Sequence, residues 1–124
     1  MAKQEIYWLK HDGNFRRTQA ALTMRSIYGS EGYGWYWMLI EMMREAEGYK
    51  LSITGKYAIQ GIARELEADQ AKISEFIADC VNEFNLFGSD GESIWSASLN
   101  EKMAAYNDVV EKKREAANQR WKNS

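Results

Sequence analysis

Apolar positions recur at helical spacing along most of this chain, broken at a few glycine-containing turns. The first such stretch predicts a helix from about Phe15 to Tyr28, with Ala21, Leu22, Met24 and Tyr28 on one broad face. Asn14 is the expected N-cap, and Gly29 stands where a left-handed C-cap belongs. A second helix follows, with Ser30 as its cap and Glu31 favouring the positive end of its dipole. Along it Tyr33, Tyr36, Ile40 and Met43 form a core stripe with Leu39 beside them. Trp35, Met38 and Met42 form another stripe, and the two merge into an apolar arc of roughly 220°. Gly48 is expected to end this helix.

The period then changes. Residues 49–53 alternate, with Leu51 and Ile53 on one face, and predict a short strand. A strand is also expected at Ile6-Tyr7-Trp8-Leu9, followed by a turn at His11-Asp12-Gly13-Asn14. Thr54 is read as the cap of a third helix from about Gly55 to Leu66. Glu67-Ala68-Asp69 leads into a fourth, from about Gln70 to Phe84, with Ile73, Phe76, Ile77, Cys80 and Phe84 as its core stripe. Two helices joined so closely read as a helix-turn-helix. The Asp90-Gly91 step between Leu86-Phe87 and Ser93-Ile94-Trp95 is a hairpin signal. The expected fold is therefore mainly α with a small sheet (α+β): a winged helix-turn-helix over residues 1–98. A long helix over 99–124 then packs on the domain or on a partner protomer. Leu99, Met103, Tyr106, Val110, Ala117 and Trp121 lie along one stripe of that helix, interrupted by Lys113.

Composition narrows the function classes. The chain has 124 residues, 45% hydrophobic and 27% charged, which suits one domain. No apolar run approaches the ~20 residues of a membrane span, and no signal core is present, so the reading is cytoplasmic with no membrane partner. A single cysteine and a single histidine argue against a disulfide and against a zinc site, and no cofactor or metal is expected. His11 beside Asp12 lacks a nucleophile motif and a third partner, so no catalytic residue is assigned and the protein is not read as an enzyme. Gly29-x-x-Gly32-x-Gly34 fits neither nucleotide fingerprint and follows a helix. Cys80 falls on a core stripe and reads as packing.

The formal net charge is −2, but it is unevenly spread. Residues 51–100 carry three basic and eight acidic groups, whereas 101–124 carry six and four. The fourth helix, which would read the major groove, sets Lys72 against Asp69, Glu75, Asp79 and Glu83. That is the wrong sign for approaching phosphates. Candidate DNA contacts are instead Arg16, Arg17 and Arg25, with Lys112, Lys113, Arg114, Arg120 and Lys122 near the end. For the terminal cluster a solvated helix face is an equal alternative, since Glu111 and Glu115 dilute it. Candidate self-association residues are Trp35, Met38, Met42, Tyr106, Val110 and Trp121; for the Trp35, Met38, Met42 stripe core packing is the commoner reading and a dimer face the alternative.

Four motifs stand in order between Tyr7 and Leu51: Tyr7-Trp8-Leu9-Lys10-His11-Asp12, Tyr28-Gly29, Glu31-Gly32-Tyr33-Gly34 and Leu39-Ile40-Glu41. On them the run resembles the N-terminal domain of Lin-type phage replisome organisers, related to the DnaD-like replication initiators. A late Arg120-Trp121 is similar too. The resemblance implies a role in starting phage or prophage DNA replication, with self-association, DNA contact, and helicase or loader recruitment through regions outside this chain. The chain departs from the family at Phe15-Arg16-Arg17, where an acidic residue is frequent. Two other classes remain open: a winged-helix transcriptional regulator, and a protein-interaction adaptor without DNA contact. The abrupt basic end suggests a domain of a longer protein.

Overall fold

A kinked helix, a helix-turn-helix and a small three-stranded sheet share one core, and a long final helix starts from it. The computed structural model of the chain describes residues 13–122, so the strand expected at residues 6–9 and the His11-Asp12 turn lie outside the described residues. Helix α1 spans Gln19–Glu45, β1 Lys50–Ser52, α2 Ala58–Glu65 and α3 Gln70–Asn82. Strands β2 (Gly88–Ser89) and β3 (Ser93–Trp95) form the wing, and α4 spans Ala97–Lys122. The sheet is antiparallel in the order β1-β3-β2, with Leu51 and Ser89 both opposite Ile94. Helix, strand, two helices, hairpin is the winged-helix order that the periodicities predict.

Several boundaries differ from expectation. The first helix begins at Gln19 rather than Phe15, and its cap is Thr18, whose hydroxyl oxygen accepts from the Ala21 amide at 3.3 Å. Asn14 instead precedes a single 3-10 turn, Phe15–Arg17. The reason is tertiary: the turn lays the Phe15 ring on Tyr36, with centroids 4.6 Å apart and planes within 16°. Gly29 takes the expected positive φ (+69°), but helix resumes at once, so the two predicted helices are limbs of one kinked element. Ser30 makes no side-chain cap bond among the described residues. Helix α1 stops at Glu45, before Gly48, and α2 starts at Ala58 because Gly55 has φ +99°, so Thr54 does not cap it.

Helix α3 buries the predicted stripe: Ile73, Phe76, Ile77 and Cys80, with Phe84 just beyond. Asp69 caps it by accepting from the Lys72 amide at 3.1 Å. Ser96 is buried, and its hydroxyl oxygen accepts from the Leu99 amide at 3.1 Å, so α4 has a rigid start. Leu99 and Met103 then join the core. From Glu111 to Lys122 every residue of α4 is exposed. The expected division at residue 98 thus falls inside an element whose first turns belong to the domain.

Gly32 is buried where α1 folds closest on itself and on α3. A Cβ there would collide with Cβ of Tyr28 and lie 3.3 Å from Cε1 of Phe76. Gly32→Ala is expected to destabilise the domain by about 1–3 kcal/mol through overpacking. Gly34→Ala, where a methyl meets nothing within 4 Å, is expected to stabilise it by about 0.4–1 kcal/mol. Urea denaturation of the two variants checks this contrast, and equal midpoints would contradict it.

Candidate nucleic-acid interface

In a winged helix the second helix of the helix-turn-helix is the element offered to a DNA groove. Here α3 presents Gln70, Lys72, Ser74, Glu75 and Asn82 as exposed residues, with exposed Glu83 as its C-cap. Asp79 is half-buried and accepts a hydrogen bond from the Tyr28 hydroxyl. Burial first, then this bond and the Asp79 charge, hold the Tyr28 phenol well above its ordinary range. The contact joins the kink of α1 to α3 across 51 residues of sequence, and no sequence signal announced it. At the wing tip the Asp90 carboxylate accepts from the amides of Glu92 and Ser93 at 2.9 and 2.8 Å. Those bonds lower its pKa below the usual carboxylate value, so the tip stays anionic at neutral pH. Between α3 and the wing lies a cavity of about 450 Å³ lined by Ile53, Ile59, Ile77, Ala78 and Val81, with Ser74, Asn82 and Ser89 among its polar residues. No cation lines it. An acidic helix, an acidic wing and an uncharged cleft do not make a phosphate surface.

Of the arginines expected near the start of the fold, Arg25 reaches the turn that carries Arg16 and Arg17. Arg16 and Arg17 sit exposed on the 3-10 turn that Phe15 anchors to Tyr36. Arg25, one limb away, donates through Nη1 to the Arg16 carbonyl at 3.5 Å, and its guanidinium lies 5.9 Å from the Tyr33 ring centroid. The turn and the two limbs of α1 thus meet at one exposed corner, where the Arg25 guanidinium reaches the backbone of the turn that carries the exposed Arg16 and Arg17. None of the three makes an ion pair among the described residues. Guanidinium forks suit phosphate oxygens, and an exposed corner lets them approach without desolvating other groups.

The second basic group lies on the exposed half of α4. Lys112 pairs with Asp108 at 3.2 Å and Arg114 with Glu111 at 3.8 Å. Both are exposed one-turn pairs, worth little in water. Lys113, Arg120 and Lys122 make no ion pair among the described residues. This group is far more diluted than the arginine corner.

The residues expected at a self-association face separate. Trp35 is a correction: it is only 6% exposed and packs edge-on against Phe76 at 5.4 Å, so it belongs to the protomer core. Helix α3 covers that side of the predicted 220° arc. Met38 is 42% exposed, and with half-buried Met42 and buried Leu66 it lines a surface cavity of about 280 Å³. Glu41, Glu45, Glu65 and Arg44 complete that cavity. Tyr106 packs against the protomer's own core, and Val110 is half-buried. Trp121 is 82% exposed.

The remaining candidates are structural. Gly32 is buried against Tyr28, so the Gly29-Gly32-Gly34 stretch forms part of a helix rather than a loop that cradles phosphate. Cys80 is fully buried, and burial pushes its thiol well above the usual range. It is expected to resist iodoacetamide in the native protein and to react at once in denaturant; rapid native labelling would contradict its placement. Among the described residues no group of three or more His, Cys, Asp or Glu is placed to hold a metal ion, and no helix is long and apolar enough to cross a membrane.

No curated protein and no solved structure matched the chain. A family model described as Lin1244/Lin1753-like, N-terminal, matches residues 8–99, which takes in the kinked helix, the helix-turn-helix, the wing and the start of α4. By that match over most of its length, the chain belongs to the Lin1244/Lin1753-like N-terminal domain family.

Proposed function

We propose that this domain is the N-terminal module of a phage or prophage replisome organiser, related to the DnaD-like initiators. In this reading it self-associates, holds DNA by its phosphates, and helps assemble a replication-initiation complex. It performs no chemistry of its own. Contact with a replicative helicase or loader belongs to regions outside this chain. The observation that carries the DNA part is the arginine corner, where Arg25 of α1 bonds the backbone of the turn that carries Arg16 and Arg17, a turn fixed by aromatic stacking. The acidic α3 and wing favour contact there rather than in the major groove, which removes the main support for a sequence-specific regulator. Three phosphate contacts per protomer are weak alone; several protomers on one duplex gain by effective concentration.

The test is fluorescence anisotropy of a labelled random duplex and of single-stranded DNA, from low to physiological salt, with protein mass followed by light scattering. Salt-sensitive binding that strengthens as oligomers form supports the proposal. Absence of binding even at low salt overturns it in favour of the adaptor reading, for which the acidic face of α3 is the supporting observation.

A further inference from the structure

We propose that the exposed half of α4 docks on the Met38–Met42–Leu66 cavity of a second copy of this chain. The inference rests on the self-association reading and names the two surfaces that would carry it. The stripe of α4 that enters the core through Leu99, Met103 and Tyr106 continues through Val110 and Ala117 to Trp121. The domain stops covering it after Val110, yet the helix runs on for twelve exposed residues, about 18 Å at ~1.5 Å each. A Trp that is 82% exposed on such a stripe is an anchor suited to a pocket.

The cavity on α1 has the matching chemistry. Two methionines supply flexible, polarizable walls that adapt to an aromatic ring. Glu41, Glu45 and Glu65 line it against one base, Arg44, which already lies 4.0 Å from Glu45. The tail, residues 111–122, carries five basic and two acidic groups, so the two surfaces have opposite sign. The cavity beside α3 and the wing has no charged lining and offers no such match.

The occupant is a second copy because α4 leaves its own domain on the wrong side. Leu99 shares a small cavity with Tyr36, Trp37 and Ile40 of α1. Met38 and Met42 each follow Tyr36 and Ile40 by two positions, which places them about 200° further round the helix. A continuous helix seated on one flank cannot return to the other. Donor and acceptor are therefore different patches of the same molecule, and docking builds chains or rings of protomers. Phosphate contact is then left to the arginine corner.

Two charge-reversed variants test this without DNA: Lys113→Glu with Arg120→Glu on the tail, and Glu41→Lys with Glu65→Lys on the cavity. All four positions are exposed, and circular dichroism is the check that each variant folds. Sedimentation velocity should show each variant alone associating at least about tenfold more weakly than the parent, and an equimolar mixture recovering association through the swapped charges. Trp121→Ala should weaken association by roughly 30-fold. A parent chain that stays monomeric overturns both self-association and this docking. Parent and variants that associate equally, or a mixture that does not recover, overturn the docking and leave the broader reading standing.

Discussion

Reversing Arg16, Arg17 and Arg25 to Glu together is expected to abolish DNA binding at physiological salt while leaving the fold intact. Each phosphate contact contributes about 0.9 to the slope of log affinity against log salt, so three contacts account for roughly 2.7. Their loss should flatten the salt dependence by that amount and replace attraction by repulsion at the same corner. All three side chains are exposed, so the change in stability should stay within about 0.5 kcal/mol. Conversion of the same residues to Lys keeps the charge and should keep most of the slope, because counterion release depends on charge rather than on the guanidinium fork. Lys72→Glu on α3 should change the slope by less than about one contact. If Lys72→Glu has the larger effect, DNA lies on α3 and the assignment to the arginine corner is wrong.

Trp35→Ala is expected to cost about 3–5 kcal/mol, a large share of the ~5–15 kcal/mol that a domain of this kind holds. The indole is wedged edge-on against Phe76, which is fully buried, and lies 6.4 Å from the Tyr28 ring. Removing it opens a cavity between the two limbs of the kinked helix and α3. Met38→Ala, three residues further on the same helix, removes a side chain that is 42% exposed and should cost under about 1 kcal/mol. Denaturant titration of both variants separates the core residue from the surface residue. Equal stabilities, with a fall in assembled mass for Trp35→Ala, would show that the indole serves an interface after all.

These expectations also mark where the sequence was legible. The stripe Ile73, Phe76, Ile77, Cys80 and Phe84 is set by local periodicity, and all five residues are buried in the structure. The Asp90-Gly91 turn and the alternation about Leu51 likewise gave the wing, because strand and turn chemistry are local. Gly29 was legible as a positive-φ residue, but not that helix would resume beyond it. Trp35 and Met38 lie only about 60° apart on a helix, so periodicity alone cannot decide which of them α3 covers. The start of α1 was displaced by the Phe15–Tyr36 stack, and the Tyr28–Asp79 bond joins residues far apart in sequence; neither leaves a local trace. The candidate site was half legible: the three arginines were named from charge, while the contact of Arg25 with the turn of Arg16 and Arg17 depends on the 3-10 turn and its packing.

The most direct test of the central claim, that DNA is held at the arginine corner and not by the helix-turn-helix, is an NMR titration of the 14.4 kDa domain with a short random duplex at low salt. Amide shift changes should concentrate on the turn at Phe15–Arg17 and around Arg25 and Tyr33, with Gln70–Asn82 and the wing unmoved. Changes concentrated on α3 and on residues 88–95 would contradict the account and return the domain to groove recognition by its helix-turn-helix.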